Sequence, residues 1–205
     1  MTTQAAAITL KGSTAIVTEF FKASLSSILY QRGVFEEKDF ETVTKYDTVL
    51  KMLINEEVNE YVTGILEKAS VWLQRGQLKK FVVVLQGLHS KKALERWEFN
   101  IECDPEATDK TKVHKSPKQI KQEIQMLIKQ ILSTNSFLPC LNEPLFFEIQ
   151  SYVDKDSDSQ GWVETERVEI ANAQEIRLRS FNTKIHKVEG AVAFQEEEED
   201  LDDPN

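Results

Sequence analysis

Three stretches of the chain repeat apolar side chains at the spacing of an amphipathic helix. They cover residues 13–30, residues 56–73 and a third stretch that begins after Ser116 and runs to about Ser133. Ser116 is a candidate N-cap for the third helix, and Gln119 stands where it can complete a capping box. The pattern therefore predicts three helices, each with one apolar face that needs a surface to cover.

Strand patterns supply that surface. Residues 81–85 form a continuous apolar run typical of a central buried strand, and RWEFNIEC at 96–103 alternates apolar with polar residues. Residues 145–153 are a further strand candidate, followed by the polar loop 154–161 and a weak strand at 162–170. The order of these elements predicts an α+β domain with helices packed on a mostly antiparallel sheet.

The C-terminal sequence RSFNTKIHKVEGAVAF, residues 179–194, predicts a β-hairpin. We place its turn at Glu189-Gly190, where the alternation breaks before a second apolar run. Alternation is also imperfect at Lys187-Val188, which indicates a strand less firmly tied to one register. Such a hairpin either completes a sheet or is an element that moves.

Composition narrows the range of functions. The chain has 205 residues and a formal net charge of -9, but seven of its 34 acidic residues lie between Glu196 and Asp203. The remaining chain balances 27 acidic against 25 basic residues, which argues against electrostatically driven nucleic-acid binding. No apolar run reaches 18 residues and the chain start lacks a signal-peptide pattern, so we expect a soluble, intracellular protein with no membrane segment.

Catalytic chemistry finds little support in the sequence. Cys103 lies on the apolar face of an alternating strand, and Cys140 lies between two prolines. His186 is predicted on the polar, solvated face of its strand, whereas His89 and His114 fall in loops. No cysteine or histidine spacing resembles a metal site and no glycine-rich phosphate loop is present, so we expect no catalytic residue, metal or cofactor. A Cys-dependent hydrolase is the remote alternative.

Binding is the function class that the residues favour. Trp72 and Trp97 lie on apolar stripes and are predicted to be in the core, whereas Trp162 follows the polar loop and either anchors it or contacts a ligand. The loop-flanked strand 145–153 can expose a sheet edge, and an exposed edge recruits an extended peptide by backbone hydrogen bonding. The residues thus predict a peptide- or protein-binding module whose partner they do not identify.

Five longer stretches between residue 8 and about residue 194 carry a family resemblance. They are ITLKGS, SILYQRGVF, LERWEFNIEC, IKQILSTNSFLPCL and RLRSFNTKIHKV. Together, and in this order, they resemble the HORMA-domain spindle assembly checkpoint proteins called mitotic arrest deficient two. The resemblance extends over nearly the whole chain.

The resemblance implies a fold and a function that periodicity does not show. It implies a HORMA domain at residues 1–194, with a mobile C-terminal β "safety belt" over about 154–194 and an acidic disordered tail at 195–205. In this family the belt covers a sheet edge in an open state and wraps a ligand peptide in a closed state. Family members bind short motifs of a kinetochore checkpoint scaffold and of the co-activator of the anaphase-promoting complex, and thereby inhibit anaphase onset.

Further partners are implied by the resemblance alone. They are a second copy, in a homodimer of an open and a closed conformer, a HORMA antagonist that binds the closed state, and an AAA+ remodelling ATPase. The implied localisation is the nucleus and cytoplasm, with unattached kinetochores in mitosis. The same fold leaves one related alternative open, a HORMA adaptor for a translesion polymerase or a meiotic chromosome axis.

Site residues follow from the resemblance, position by position. The conformer-dimer and antagonist interface comprises Arg32, Lys129, Gln130 and Phe137. The ligand-peptide edge strand comprises Phe147, Ile149, Ser151 and Val153, and the belt comprises Trp162, Arg179, Phe181, Ile185, His186 and Val188. Lys129 stands where the family commonly has arginine, and lysine lacks the planar fork for bidentate contacts. Without the resemblance, Arg32 and Lys129 indicate an ordinary solvated helix face.

The acidic tail allows two interpretations. It is either a solvated end or a docking arm for a basic partner, and Lys184 and Lys187 in the terminal hairpin offer it basic side chains within the chain.

Overall fold

The computed structural model describes residues 7–108 and 110–195. This part of the chain contains three α-helices and nine strands. In chain order they are β1 (Ala7–Thr9), α1 (Leu10–Gln31), β2 (Phe40–Lys45), β3 (Thr48–Leu53), α2 (Glu56–Gln74), β4 (Leu78–Gly87), β5 (Ala93–Cys103), β6 (Lys112–His114), α3 (Pro117–Ser133), β7 (Leu145–Val153), β8 (Ala173–Asn182) and β9 (His186–Gln195). Short 3-10 turns occupy Glu37–Asp39 and Thr134–Ser136.

The helices begin close to the predicted positions. The Thr9 hydroxyl accepts a hydrogen bond from the N–H of Gly12 at 3.1 Å at the start of α1, and Asn55 caps α2 in the same way. The capping box predicted for α3 is wrong, because the Ser116 side chain makes no capping hydrogen bond. Pro117 explains the start there, since its fixed φ suits the first turn and it has no N–H to satisfy.

The main sheet has the strand order β7-β4-β5-β9-β8, and every neighbouring pair is antiparallel. Two small antiparallel pairs, β1 with β6 and β2 with β3, lie outside it. Three helices on a mostly antiparallel sheet confirm the predicted α+β class. Because β7 and β8 occupy opposite edges, the chain between them must pass across the sheet.

The helices cover one face of the main sheet, which we call the first face. Its centre is a group of aromatic rings from α1 and the sheet. Phe21 stacks on Phe81 with ring centroids 4.5 Å apart, and Phe20 meets Phe99 edge-on at 5.4 Å. The two tryptophans predicted in the core, Trp72 and Trp97, are buried among these elements, as expected.

The opposite, second face is crossed by residues 154–172, which we call the crossing segment. On β4, Val82 and Val84 alternate with the first-face residues and are nevertheless fully buried, so the crossing segment covers them. Ile170 in this segment is itself buried. The weak strand predicted at 162–170 is wrong, since these residues join no strand ladder.

The C-terminal hairpin, β8 with β9, turns at residues 183–185, so the turn predicted at Glu189-Gly190 is wrong. Lys184 adopts a positive φ of 76°, and the Asn182 side chain accepts the N–H of Lys184. Local side-chain acceptors thus set the turn earlier than the break in alternation suggested.

Gly190 has a packing role within β9 instead. It lies opposite Phe99 of β5, and a Cβ atom at this position would lie 3.1 Å from the Leu178 side chain. The glycine permits β8 to sit close to β9 at this point.

The predicted acidic tail lies outside the described residues, apart from Gln195, which ends β9. Of the two lysines proposed to attract it, Lys187 has its amine 2.7 Å from Glu189 and 3.7 Å from Glu102.

Candidate functional site

β7 is an edge strand with one free side. Within the described residues it pairs only with β4, in a register that runs from Leu78 opposite Val153 to Gly87 opposite Leu145. Unpaired backbone groups along such an edge are a template for another strand.

A cavity of about 520 Å³ lies between β7 and the first part of the crossing segment. Its walls come from both elements and from α2: Trp72, residues 148–155, Ser157, Ser159 and residues 162–165. The free edge therefore faces a partly open groove of the size that holds part of a ligand.

The four predicted edge residues contribute differently to this groove. Ile149, Ser151 and Val153 line it, whereas Phe147 lies against Phe35 and Tyr61, with ring centroids 5.9 and 6.1 Å away. The Ser151 hydroxyl oxygen is buried and makes no hydrogen bond among the described residues.

Trp162 fastens the crossing segment to α2. Its ring meets Trp72 at 5.1 Å in a T-shaped arrangement, and the Trp72 indole N–H donates to the carbonyl oxygen of Asp158 at 3.0 Å. The carboxylate of Asp158 also pairs with Lys68 at 3.0 Å. The backbone N–H of Gln160 and the Lys68 ammonium lower the pKa of Asp158 below its ordinary value. Trp162 thus anchors the loop, one of the two roles left open by the sequence, and it also lines the cavity, where contact with a ligand stays a prediction.

Arg96 holds the crossing segment further along, on the second face. Its guanidinium donates to the carbonyl oxygen of Val168 at 2.7 Å and lies 2.7 Å from the Glu98 carboxylate. Sequence reasoning missed Arg96, because a polar residue in an alternating strand predicts a solvated side chain. Only the passage of the crossing segment over β5 makes it buried.

The remaining belt residues dock the C-terminal hairpin. Phe181 of β8, Ile185 of the turn and Val188 of β9 are all buried in the core. Arg179 is exposed, and its backbone N–H donates to the Gln130 side chain of α3 at 2.7 Å. The hairpin therefore contacts the helix layer as well as β5.

His186 contradicts the expectation of a solvated histidine. It is 1% exposed, with Nδ1 2.7 Å from the Ser13 hydroxyl and Nε2 3.1 Å from the carbonyl oxygen of Leu73. The Ser13 hydroxyl lies 2.6 Å from that of Thr183. Burial lowers the pKa of His186 below its ordinary value, opposed by the bond to Leu73. The start of β9 docks against α1 and the end of α2, which alternation alone does not reveal, and this contact buries the ring.

The predicted interface residues fall into two groups. Lys129 and Phe137 are exposed and Gln130 is half-buried, so these three reach the surface of α3 and the turn after it. The Arg32 side chain does not reach the surface, since it is 6% exposed and pairs with Glu95 at 2.6 Å. A solvated or freely exposed Arg32 is therefore wrong for this conformer, because the folding of β5 against the end of α1 encloses it.

Arg32 also supports the segment that carries Phe137. Its guanidinium donates to the carbonyl oxygen of Pro139 and to the Asn135 side chain. Burial raises the pKa of Glu95, the partner of Arg32, although the arginine charge opposes this shift.

Other chemical sites are not apparent in the described part of the chain. Its histidines, cysteines and acidic residues form no group able to hold a metal ion. Cys103 is half-buried, and burial raises the pKa of its thiol, while Cys140 is exposed. None of the described helices combines the length and apolarity needed to span a bilayer.

Comparisons with known proteins agree with this geometry. The HORMA domain family matches residues 13–186. "Mitotic spindle checkpoint protein MAD2" of Zea mays is 42% identical over 195 residues, which cover 94% of each chain. A chain in the "Crystal Structure of Mitotic Checkpoint Complex" superimposes with a TM-score of 0.83 and 34% identity, over 90% of this chain and 99% of that one.

A more distant structure shares the fold alone. HTP-2 of C. elegans, solved bound to the HIM-3 closure motif, gives a TM-score of 0.76 at 12% identity, over 92% of each chain. The fold and the long, well-covered similarity lead to one assignment. The chain belongs to the HORMA-domain family, among the mitotic spindle checkpoint proteins of the mitotic arrest deficient two type.

Proposed function

We propose that the protein is a spindle checkpoint adaptor that traps a short peptide between β7 and the crossing segment. The observation that carries this proposal is the free edge of β7 facing a cavity of about 520 Å³ whose other wall belongs to the same chain. The family consists of checkpoint adaptors rather than enzymes, so neither Cys103 nor Cys140 is assigned a catalytic role.

The bound peptide extends the sheet as a sixth strand beside β7. Backbone hydrogen bonds to the free edge give affinity for any extended chain, while side-chain pockets along the groove give selectivity. Ile149 offers an apolar contact on one face of β7, and Glu148 and Gln150 offer polar contacts on the other. The crossing segment then closes over the peptide.

The strand order supports a closed state for this conformer. The C-terminal hairpin pairs with β5, at the opposite end of the sheet from β7, and leaves the β7 edge accessible. In the proposed open state the hairpin pairs with β7 and occludes this edge. A shift from 1:99 to 99:1 in favour of the closed state requires the peptide to prefer that state by about 5.5 kcal/mol.

The proposed ligands are motifs in the co-activator of the anaphase-promoting complex and in a kinetochore checkpoint scaffold. Trapping the co-activator delays anaphase. The localisation proposed with this function is the nucleus and cytoplasm, with unattached kinetochores in mitosis. The similarity to a chain of the mitotic checkpoint complex supports this assignment over a polymerase or meiotic-axis adaptor.

A second surface is proposed to bind other HORMA chains. Lys129 and Gln130 lie near the end of α3, Phe137 follows the 3-10 turn after it, and Phe137 is 50% exposed despite being a large apolar residue. This surface is the proposed contact for an open copy of the chain and for a closed-state antagonist. The AAA+ ATPase is proposed to act on the complex with that antagonist.

The experiment uses overlapping 15-residue fluorescent peptides that tile the co-activator and the scaffold. Two truncations are compared with the full chain by fluorescence anisotropy. Removal of residues 196–205 deletes only the acidic tail and is expected to leave binding nearly unchanged. Removal of residues 186–205 also deletes β9 and is expected to abolish binding, with circular dichroism as the check on folding. Equal binding by both truncated chains contradicts the proposal.

A further inference from the structure

The cavity wall formed by the crossing segment is suspended between two anchors. One anchor is Asp158, whose backbone and side chain are held by Trp72 and Lys68 on α2. The other anchor is the Val168 carbonyl, held by Arg96 on β5. Residues 159–167 between them include the part of the wall that faces β7. Release of either anchor is therefore a way to open the cavity.

The Arg96 anchor lies well inside the sheet. β5 is two strand positions from β7, which is roughly 10 Å at the usual strand spacing. The Arg96 side chain is 5% exposed on this face. A charge-assisted hydrogen bond shielded from water in this way is stronger than an exposed one. Arg96 is therefore a buried attachment point for the second half of the crossing segment.

Glu98 orients the Arg96 side chain. Its carboxylate lies 2.7 Å from the Arg96 Nε atom and 3.0 Å from the Lys80 amine. Arg167, which belongs to the crossing segment, lies 3.5 Å from the same carboxylate. Glu98 thus joins the sheet to the segment by two routes, and it keeps cationic partners when Arg96 is replaced.

We propose that Arg96, oriented by Glu98, is a latch that sets how long a peptide stays trapped beside β7. The inference rests on the proposed function and names a positioning residue for it. Breaking the Arg96 bond to Val168 frees the crossing segment to lift from the second face, while the helices keep the first face intact. The latch therefore acts on dissociation of the peptide and leaves its association largely unchanged.

The test measures peptide dissociation and amide exchange in matched variants. Each variant is loaded with the tightest-binding labelled peptide of the tiled set and then chased with unlabelled peptide. Arg96→Met is expected to release the peptide roughly tenfold to a hundredfold faster, the range for losing one charge-assisted hydrogen bond. Arg96→Lys keeps the positive charge but lacks the planar guanidinium that contacts both Val168 and Glu98. Its rate of peptide release is therefore expected to be intermediate.

Arg177→Met is the matched control, because Arg177 is an exposed arginine that lies opposite Ala191, on the second face. It is expected to release the peptide at the wild-type rate. Hydrogen exchange is measured on the same proteins without peptide, at the amides of residues 163–170 and of α1. The latch predicts faster exchange in Arg96→Met at residues 163–170 only.

The outcomes separate the latch from the proposed function. If no tiled peptide binds the wild-type protein, the proposed function fails and the role of Arg96 in peptide release fails with it, while the exchange measurement still decides whether Arg96 holds residues 163–170 on the sheet. Dissociation within twofold of wild type, with unchanged exchange at residues 163–170, overturns the latch. An equal rise of exchange in α1 also overturns it, because Arg96 then has a general structural role.

Discussion

The two faces of the main sheet are held in different ways. The first face is packed with aromatic and aliphatic side chains such as Phe20, Phe21 and Phe99, which are fully buried between sheet and helices. The second face is covered by one irregular segment, which buries few apolar side chains, such as Ile170, and is attached mainly through separate contacts such as those of Trp162 and Arg96. A continuous apolar core opens only with global unfolding, whereas a surface held by a few bonds can open locally.

This difference explains how one chain can combine a rigid domain with a closing element. The first face fixes the order of the central strands and the position of the β7 edge. The second face lets the crossing segment leave and return without exposing the main core. Substitutions on the two faces test this division.

Phe20→Ala is expected to produce the largest loss of stability. Phe20 is fully buried and its ring lies 5.4 Å from that of Phe99 and 4.8 Å from that of Phe181. Its truncation should lower the free energy of unfolding by about 3–5 kcal/mol in a urea titration. Ile170→Ala on the second face should cost about 2 kcal/mol or less, because the crossing segment can relax around the gap. Equal losses would contradict the division between the faces.

His186 should make the docked hairpin sensitive to pH. Its pKa is lowered in the folded protein from the ordinary value of 6.5, so the unfolded chain binds a proton first as the pH falls. Its contribution to stability is therefore complete above pH 6.5 and declines below it. From pH 7.5 to 5.5 the free energy of unfolding should fall by about 1 kcal/mol more in the wild type than in His186→Asn. Parallel pH profiles for the two proteins would exclude this role.

Trp162→Ala should weaken the anchor of the crossing segment on α2. The aromatic pair with Trp72 stabilises this anchor by about 0.5–1.5 kcal/mol. Its loss corresponds to peptide release up to roughly tenfold faster. The matched control is Gln160→Ala, because Gln160 belongs to the same loop, is exposed and does not line the cavity, so its truncation should leave the release rate unchanged. Similar acceleration in both variants would show that loop composition, and not the tryptophan pair, sets the rate.

Lys129→Arg is expected to have the smallest effect. Lys129 is exposed on the proposed surface for HORMA chains, and arginine adds a planar fork there. Self-association measured by sedimentation should strengthen by less than about 1 kcal/mol, with no change in unfolding. Lys121→Arg is the control, since Lys121 is another partly exposed lysine of α3 that pairs with Asp47. An equal gain in the control would indicate a general charge effect.

Regular elements with strong periodicity were predicted well. The helix expected at residues 56–73 is observed at Glu56–Gln74, and the strand expected at 145–153 matches β7. The β2–β3 hairpin was not predicted, although its turn has a local cause. Tyr46 and Asp47 both adopt positive φ, the pattern of a tight two-residue hairpin turn. The sequences of β2 and β3 on either side of this turn alternate apolar and polar residues less clearly than the sequence of β5.

The roles of individual polar residues were the least predictable. Arg32, Arg96 and His186 are all polar residues for which sequence patterns predict solvation, and all three are buried. Each is buried by a segment far away in the chain: Arg32 beside β5, Arg96 beneath the crossing segment and His186 between two helices. Periodicity carries no information about such contacts.

The helices, the central strands and the family follow from the amino-acid sequence alone. Burial of apolar side chains away from water drives folding. Their repeat of 3.6 residues in a helix, or of two residues in a strand, indicates which face is buried. The family followed from long stretches that occur in one order. Tertiary contacts determine which edge of the sheet is free, where the hairpin docks and which polar groups are enclosed. These contacts join segments that are distant in the sequence, and they form only once the strands have paired in one order.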